Sequence, residues 1–131
     1  ILPSKPVGAV DENQKQNDDA LVVLVELAGQ GVLLPGDAEG QVLDDLDLPR
    51  CAVVGVPHHG SAGGFDAPSL EELAPLLAVI PVGENRHGHP SQETLDLLAA
   101  SGVPCLRTDQ SGDVALSLRD SRLCVLTGGG G

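Results

Sequence analysis

Two adjacent histidines follow a short apolar run in the segment "VVGVPHHGSAGG", which occupies residues 53–64. Neutral imidazole is the commonest metal ligand in proteins. Successive side chains of an extended strand point to opposite faces, so one of His58 and His59 is expected to face a site. The other is expected to turn in through the glycine-rich bend or to anchor its partner by a hydrogen bond. The pattern predicts contact with a metal ion or a phosphate and leaves open which histidine is the ligand.

A carboxylate ends a second apolar run, "VLLPGD", in which Asp37 follows Gly36. The glycine lets the backbone turn sharply, and a carboxylate with two oxygens can bind one metal ion or bridge two. The alternative is that Asp37 is the N-cap of a helix beginning at Ala38, a position that aspartate favours. Either role is compatible with this segment taken alone.

Two later segments carry polar groups of the kind that bind anions. The segment "GENRHGHP", residues 83–90, offers an amide, a guanidinium and two imidazoles before a predicted helix, whose first N–H groups attract anions. The alternative is a tight turn that Asn85 stabilises and His89 caps. In "RTD", residues 107–109, Arg107 could reach a phosphate or pair with Asp109.

Apolar runs alternate with helical patterns along most of the chain. A strand hairpin is predicted at residues 20–27 and 32–37, and a second hairpin at 113–118 and 122–127. Between them, helices at 38–46, 68–75 and 90–102 separate strands at 51–56, 76–82 and 103–109. Such alternation implies parallel strands, and ligands bind at the carboxyl ends that these strands share. All four histidines follow predicted strands, so we expect them to converge at this edge.

The charge balance limits the kinds of substrate contact. The formal net charge is −12, and the chain contains neither tyrosine nor tryptophan. Sequence-independent binding of nucleic acid rests on lysine and arginine, and base stacking rests on aromatic rings. A polyanionic substrate would therefore need local positive charge, such as a bound divalent cation. The sequence also has no apolar run of the ~20 residues that span a membrane.

The motifs "GD", "PHHGS", "GENRHGHP" and "RTDQSGDV", in this order and at these spacings, resemble the metallo-β-lactamase-like domain of the ComEC family of competence DNA-uptake channel proteins. The resemblance covers roughly residues 17–118. It implies an α/β fold, the C-terminal half of a metallo-β-lactamase-like αββα sandwich, with a mixed sheet and β-α-β crossovers. Residues 1–19 are then the end of a preceding strand plus an exposed loop, 20–127 the half domain, and 128–131 a glycine tail.

The resemblance also implies a function, namely metal-dependent hydrolysis of the DNA strand that is not transported. The intact domain would hold a divalent metal, Zn²⁺ or Mn²⁺, and would be a soluble, extracytoplasmic part of a bacterial cell-membrane protein. Its implied partners are single-stranded DNA, the membrane channel domain of the same parent chain, and a second copy through an uncovered sheet. By position, the implied metal ligands are Asp37, His58 and His59, and the implied catalytic residues are Asp37 and His58. The implied phosphate-binding residues are Ser61, Asn85, His89 and Arg107.

Three departures separate this chain from the family pattern. Ala20 replaces a serine, His87 replaces a tyrosine, and the motif H-x-(H/D)-x-D-H, which supplies most metal ligands in this superfamily, is absent. A catalytic zinc keeps three protein ligands plus water. We therefore expect the isolated segment to be inactive, with no metal bound. The alternatives are a non-catalytic binding or structural module of the uptake channel and a metal-dependent esterase acting on small phosphodiesters.

Overall fold

A mixed six-stranded sheet organises the chain. The computed structural model describes residues 2, 3 and 20–128. The strands are β1 (Leu2–Pro3), β2 (Leu21–Leu27), β3 (Gln30–Leu34), β4 (Val53–Gly55), β5 (Leu77–Ile80) and β6 (Cys105–Arg107). Their order across the sheet is their order along the chain. β1, β2 and β3 pair antiparallel, and β3 to β6 pair parallel. The predicted mixed α/β sheet is confirmed, and the complete αββα sandwich stays a prediction.

Helical crossovers join the parallel strands. They are α1 (Gly40–Asp44) between β3 and β4, α2 (Ala67–Leu73) between β4 and β5, and α3 (Gln92–Ala100) between β5 and β6. A short α4 (Thr108–Ser111) follows β6 directly. The second predicted hairpin is confirmed as β7 (Val114–Arg119) and β8 (Arg122–Thr127), which form a separate two-stranded sheet. The exposed loop expected at residues 4–19 and residues 129–131 of the tail lie outside the described residues.

One aliphatic core holds the three crossover helices against the sheet. Leu33, Val54 and Ala78 are directly paired across β3, β4 and β5, and each is fully buried. Leu70 of α2 and Leu98 of α3 belong to the same cluster. Leucine, valine and alanine supply most of its members, since Phe65 is the only phenylalanine and tyrosine and tryptophan are absent. This packing fixes the strands whose ends carry the polar motifs.

Asp66 caps α2, and its removal is expected to destabilise the fold in a pH-dependent way. Its Oδ1 accepts the Ser69 N–H at 2.8 Å, and hydrogen bonding from Ser69, the side chain first and this N–H second, lowers the pKa of the carboxyl below its usual 3.8. A lowered folded-state pKa means that the stabilisation is complete above pH 3.8 and is lost as pH falls through the lowered pKa. Asp66→Ala should therefore cost about 1 kcal/mol of unfolding free energy at neutral pH and less in acid.

Urea denaturation at neutral pH and below pH 3.8 would measure this difference. Asp66→Asn is the matched control, because asparagine caps helices comparably and does not titrate. A gap between wild type and Asp66→Ala that stays constant with pH would contradict the assignment.

Candidate active site at the strand ends

The carboxyl ends of four parallel strands meet at one edge of the sheet, as the sequence predicts. β3 leads into Asp37, β4 into the turn Pro57–Gly60, β5 into the loop 81–91, and β6 into α4. Close contacts join side chains from three of these segments. We call this group the histidine rim, and its members are Asp37, Glu39, His58, His59, His87 and His89.

The turn Pro57–Gly60 brings both adjacent histidines to the rim. His58 (φ 49°, ψ 48°), His59 (φ 56°, ψ 26°) and Gly60 (φ 86°) all adopt left-handed backbone conformations. The expectation of an extended backbone with alternating side chains is therefore wrong here. The two rings lie with their centroids 6.3 Å apart. Left-handed conformations are unfavourable for residues other than glycine, and such strain is concentrated at functional sites.

His59 pairs with Asp37 in a geometry suited to metal binding. Its Nδ1 lies 2.6 Å from the carbonyl oxygen of Pro81, which can only accept, so Nδ1 carries the proton. In the neutral ring, Nε2 then holds the lone pair, and it lies 3.8 Å from Oδ1 of Asp37. Two ligands of a tetrahedral zinc lie roughly 3.3 Å apart, a small adjustment from this separation. Both side chains are about half exposed and therefore accessible.

Asp37 does not cap a helix. The N-cap of α1 is Glu39, which makes no side-chain capping bond, and the helix begins at Gly40 rather than Ala38. The capping alternative for Asp37 is therefore wrong. Its carboxylate instead faces the rim beside His59.

Glu39 holds the second histidine and was not anticipated from the sequence. Its Oε1 lies 2.8 Å from Nδ1 of His58 and 3.5 Å from the hydroxyl of Ser61. Metal-binding histidines are commonly oriented by a carboxylate on the ring nitrogen that does not bind the metal. The signal available in the sequence was its position, two residues after Asp37 in the same strand-end segment. Ser61, predicted to bind phosphate, is buried, and its hydroxyl is directed at Glu39.

His89 lies among the other imidazoles. Its ring centroid is 5.6 Å from that of His58 and 5.7 Å from that of His87. Partial burial is the main cause that lowers the pKa of His89 below 6.5, followed by the nearby His58, His87 and His59, whereas Glu39 acts in the opposite direction. His89 is therefore neutral at physiological pH and able to accept a proton.

NMR titration of the His89 ring protons should give a midpoint below 6.5. In His58→Ala the midpoint should rise, because one of the imidazoles that disfavours a second positive charge is gone. It should stay below 6.5, since burial is the larger cause. A wild-type midpoint at or above 6.5 would show that His89 is more solvated than its surroundings indicate.

Asn85 shapes the loop 81–91 rather than projecting from it. Its Oδ1 accepts the N–H groups of His87 and His89 at 3.0 Å each, and its Nδ2 donates to the carbonyls of Gly83 and His89 at 3.0 and 2.8 Å. The tight-turn alternative is confirmed for this residue, and phosphate contact by Asn85 stays a prediction. Within that turn, His89 contributes its backbone N–H and carbonyl to Asn85, and the cap of α3 is Ser91, which accepts the Thr94 N–H.

Arg107 forms an ion pair within its own segment. Its Nε and Nη2 donate to the two carboxylate oxygens of Asp109 at 3.0 and 2.7 Å. This contact lowers the pKa of Asp109 and raises that of Arg107. Of the two alternatives left open by the sequence, the pairing is confirmed.

Comparison with known proteins supports the resemblance drawn from the motifs. No protein-family model matches the chain. A curated protein of Bacillus subtilis (strain 168), ComE operon protein 3, is 35% identical to it in an alignment of 104 residues that covers 76% of this chain. The chain is related to ComE operon protein 3. It spans 13% of the length of that relative.

The relationship to ComE operon protein 3 agrees with the ComEC resemblance, and the exact domain stays a prediction. None of the helices within residues 2, 3 and 20–128 has the length and hydrophobicity that a membrane-spanning helix requires.

The donor chemistry of the rim fits a metal ion in kind but not in number. Carboxylate oxygen and imidazole nitrogen are ordinary ligands of zinc and manganese. Among the described residues, however, no three histidine, cysteine, aspartate or glutamate side chains are placed to hold one ion together. Asp37 and His59 are thus a pair of donors that fits part of a metal site.

Proposed function

We propose that this chain is part of a metal-dependent hydrolase that cleaves phosphodiester bonds of DNA in a competence DNA-uptake protein. The observation that carries the proposal is the pairing of Asp37 with His59, whose Nδ1 is fixed by the Pro81 carbonyl so that Nε2 faces the carboxylate. The relationship to ComE operon protein 3 supports the DNA-uptake context. The substrate would be the strand that is not transported, and the segment would be an extracytoplasmic part of a membrane-bound parent.

The residues of the rim have distinct roles in this proposal. Asp37 and His59 would hold a divalent ion, Zn²⁺ or Mn²⁺. His58, oriented by Glu39, would lie beside them in the site. When bound, such an ion supplies a water molecule acidic enough to act as hydroxide near neutral pH. His89, neutral at physiological pH, would accept a hydrogen bond or a proton beside the phosphate. Water thereby adds across the P–O bond, its oxygen joining phosphorus and the leaving oxygen taking a proton.

Further ligands must come from outside the described residues. Asp37 and His59 provide two donors, and a catalytic zinc keeps three from protein. We infer that an H-x-(H/D)-x-D-H segment of the parent chain supplies the rest. The isolated chain is therefore expected to bind metal weakly and to be inactive. A divalent ion would also offset the repulsion between a phosphate and a chain of formal charge −12.

One observation favours a second candidate, a non-catalytic module of the uptake channel. Over the described residues, no group of three donors is assembled. Calorimetry with Zn²⁺ or Mn²⁺ on the full-length parent separates the candidates. Tight stoichiometric binding supports the hydrolase, and absence of binding supports the module.

The decisive experiment is cleavage of end-labelled single-stranded DNA by the full-length protein that carries this segment. Cleavage should require Zn²⁺ or Mn²⁺ and should stop when a chelator is added. Cleavage that persists in chelator, or its absence with every divalent ion, would contradict the proposal.

A further inference from the structure

A second arginine lies beside the rim, in a setting different from that of Arg107. Arg86 is exposed in the loop 81–91, between Asn85 and His87. It lines an open cavity of 570 Å³ at the rim. The other residues that line this cavity are Gly83, Glu84, Asn85, His89 and Asp109. The cavity therefore joins Arg86 to His89, which is part of the histidine rim.

The two arginines differ in what already binds their guanidinium groups. Two of the three guanidinium nitrogens of Arg107 donate hydrogen bonds to Asp109, so this side of the group is already occupied. No carboxylate of residues 20–128 forms an ion pair with Arg86. A guanidinium presents donors in a planar fork that matches a phosphate, and an unpaired one exchanges only water for the anion.

The backbone beside Arg86 is already ordered. Asn85 binds four backbone groups of the loop, including the N–H of His87, so the residues on both sides of Arg86 are held in place. Binding an anion would then order only the arginine side chain, which limits the entropy lost.

The charges of the cavity lining are nearly balanced. Asp109 is paired with Arg107. The remaining formal charges of the lining are one negative charge on Glu84 and one positive charge on Arg86. Because these charges cancel, the lining repels an anion less than the formal charge of −12 for the whole chain would imply.

We propose that Arg86, rather than Arg107, anchors a phosphate of the substrate backbone next to the one at the rim. This inference rests on the proposed function and specifies how the substrate is held. The ligand is the sugar–phosphate backbone of single-stranded nucleic acid, contacted without base recognition. Stacking has no platform here, since tyrosine and tryptophan are absent and Phe65 is only 7% exposed in the core.

The test is the salt dependence of binding, measured by fluorescence anisotropy with labelled oligothymidylate and the full-length protein in chelator. Arg86→Gln should bind roughly fivefold more weakly at low salt, and the slope of log affinity against log salt should fall by about 0.7, the value for one phosphate contact on a single strand. Arg107→Gln combined with Asp109→Asn, which removes the ion pair and keeps the charge balance of the cavity lining, should leave the slope unchanged. Arg119→Gln, on the separate β7–β8 sheet, controls for the loss of one positive charge.

Several outcomes would overturn the assignment. They are an unchanged slope in Arg86→Gln, an equal fall in the Arg107→Gln/Asp109→Asn double variant or in Arg119→Gln, or no binding of the probe by the wild type. An abasic oligomer of equal length should compete as well as oligothymidylate, and failure to compete would replace backbone contact by base recognition. Because the measurement is made in chelator, it is independent of cleavage. A changed slope in a protein that never cleaves DNA would refute the proposed function and leave the anchor standing.

Discussion

Asp37→Asn is expected to lower metal-dependent cleavage by the full-length protein by more than about 100-fold. Substitutions of residues that only orient a metal ligand typically reduce affinity or activity by about 10–100-fold, and a ligand itself should matter more. Asparagine keeps the size of the side chain and removes the negative charge that faces His59. The loss should therefore accompany weaker metal binding, measured by calorimetry, with little change in folding.

Two further variants make this result interpretable. Glu39→Gln should give an intermediate loss, because Glu39 acts on His58 rather than on the ion. Asp47→Asn removes the same charge from an exposed position after α1 and should cleave at the wild-type rate. Equal rates for Asp37→Asn and Asp47→Asn would remove Asp37 from the site.

Gly60→Ala is expected to destabilise the fold by about 3 kcal/mol, for two additive reasons. Gly60 has φ +86°, a conformation that alanine adopts at a cost. A Cβ at this position would also lie 2.6 Å from Cβ and 2.9 Å from Cα of Pro90. Since Pro90 immediately precedes the cap of α3, relieving the contact would displace the helix start or the histidine turn. Urea denaturation should show the loss.

Two other glycines separate strain from collision. Gly102, after α3, has φ +70° but nothing within 4 Å of an added Cβ, so Gly102→Ala should cost about 1 kcal/mol. Gly83 has neither the left-handed conformation nor a neighbour within 4 Å, so Gly83→Ala should change stability by less than about 0.5 kcal/mol. If Gly60→Ala lowered the free energy of unfolding no more than Gly102→Ala does, the contact with Pro90 would contribute nothing to the loss.

The sheet and the position of the rim could be predicted because they follow from periodicity. Each apolar run with β-branched residues became a strand, and each crossover returned the chain parallel to its neighbour. Polar groups after successive parallel strands then had to meet at one edge. The capping of α3 by Ser91 was predictable for a similar reason, since a hydroxyl three residues before the paired N–H is a local signal.

The pairings inside the rim could not be predicted, because they depend on backbone angles and on distant partners. The left-handed angles of His58 and His59 carry only a weak signature in their residue types, since histidine adopts such angles more often than most residues but still uncommonly. The contact of His58 with Glu39, 19 residues away, depends on that turn and therefore could not be predicted either. The sequence alone also could not show whether Arg107 binds a phosphate or Asp109, because a guanidinium forms the same hydrogen bonds with either anion.

The match between strand order and chain order bears on how this sheet can vary. In the six-stranded sheet of the described residues, each strand after β1 pairs with the strand that precedes it in sequence, and the parallel pairings, such as that of Val54 with Ala78, are connected by helical crossovers. Each β-α unit adds one strand at the edge of the sheet, and its connection crosses no other strand. A longer or shorter segment after one strand would therefore alter one group of contacts and leave its neighbours in register, so ligand preference can diverge by changing one loop at a time.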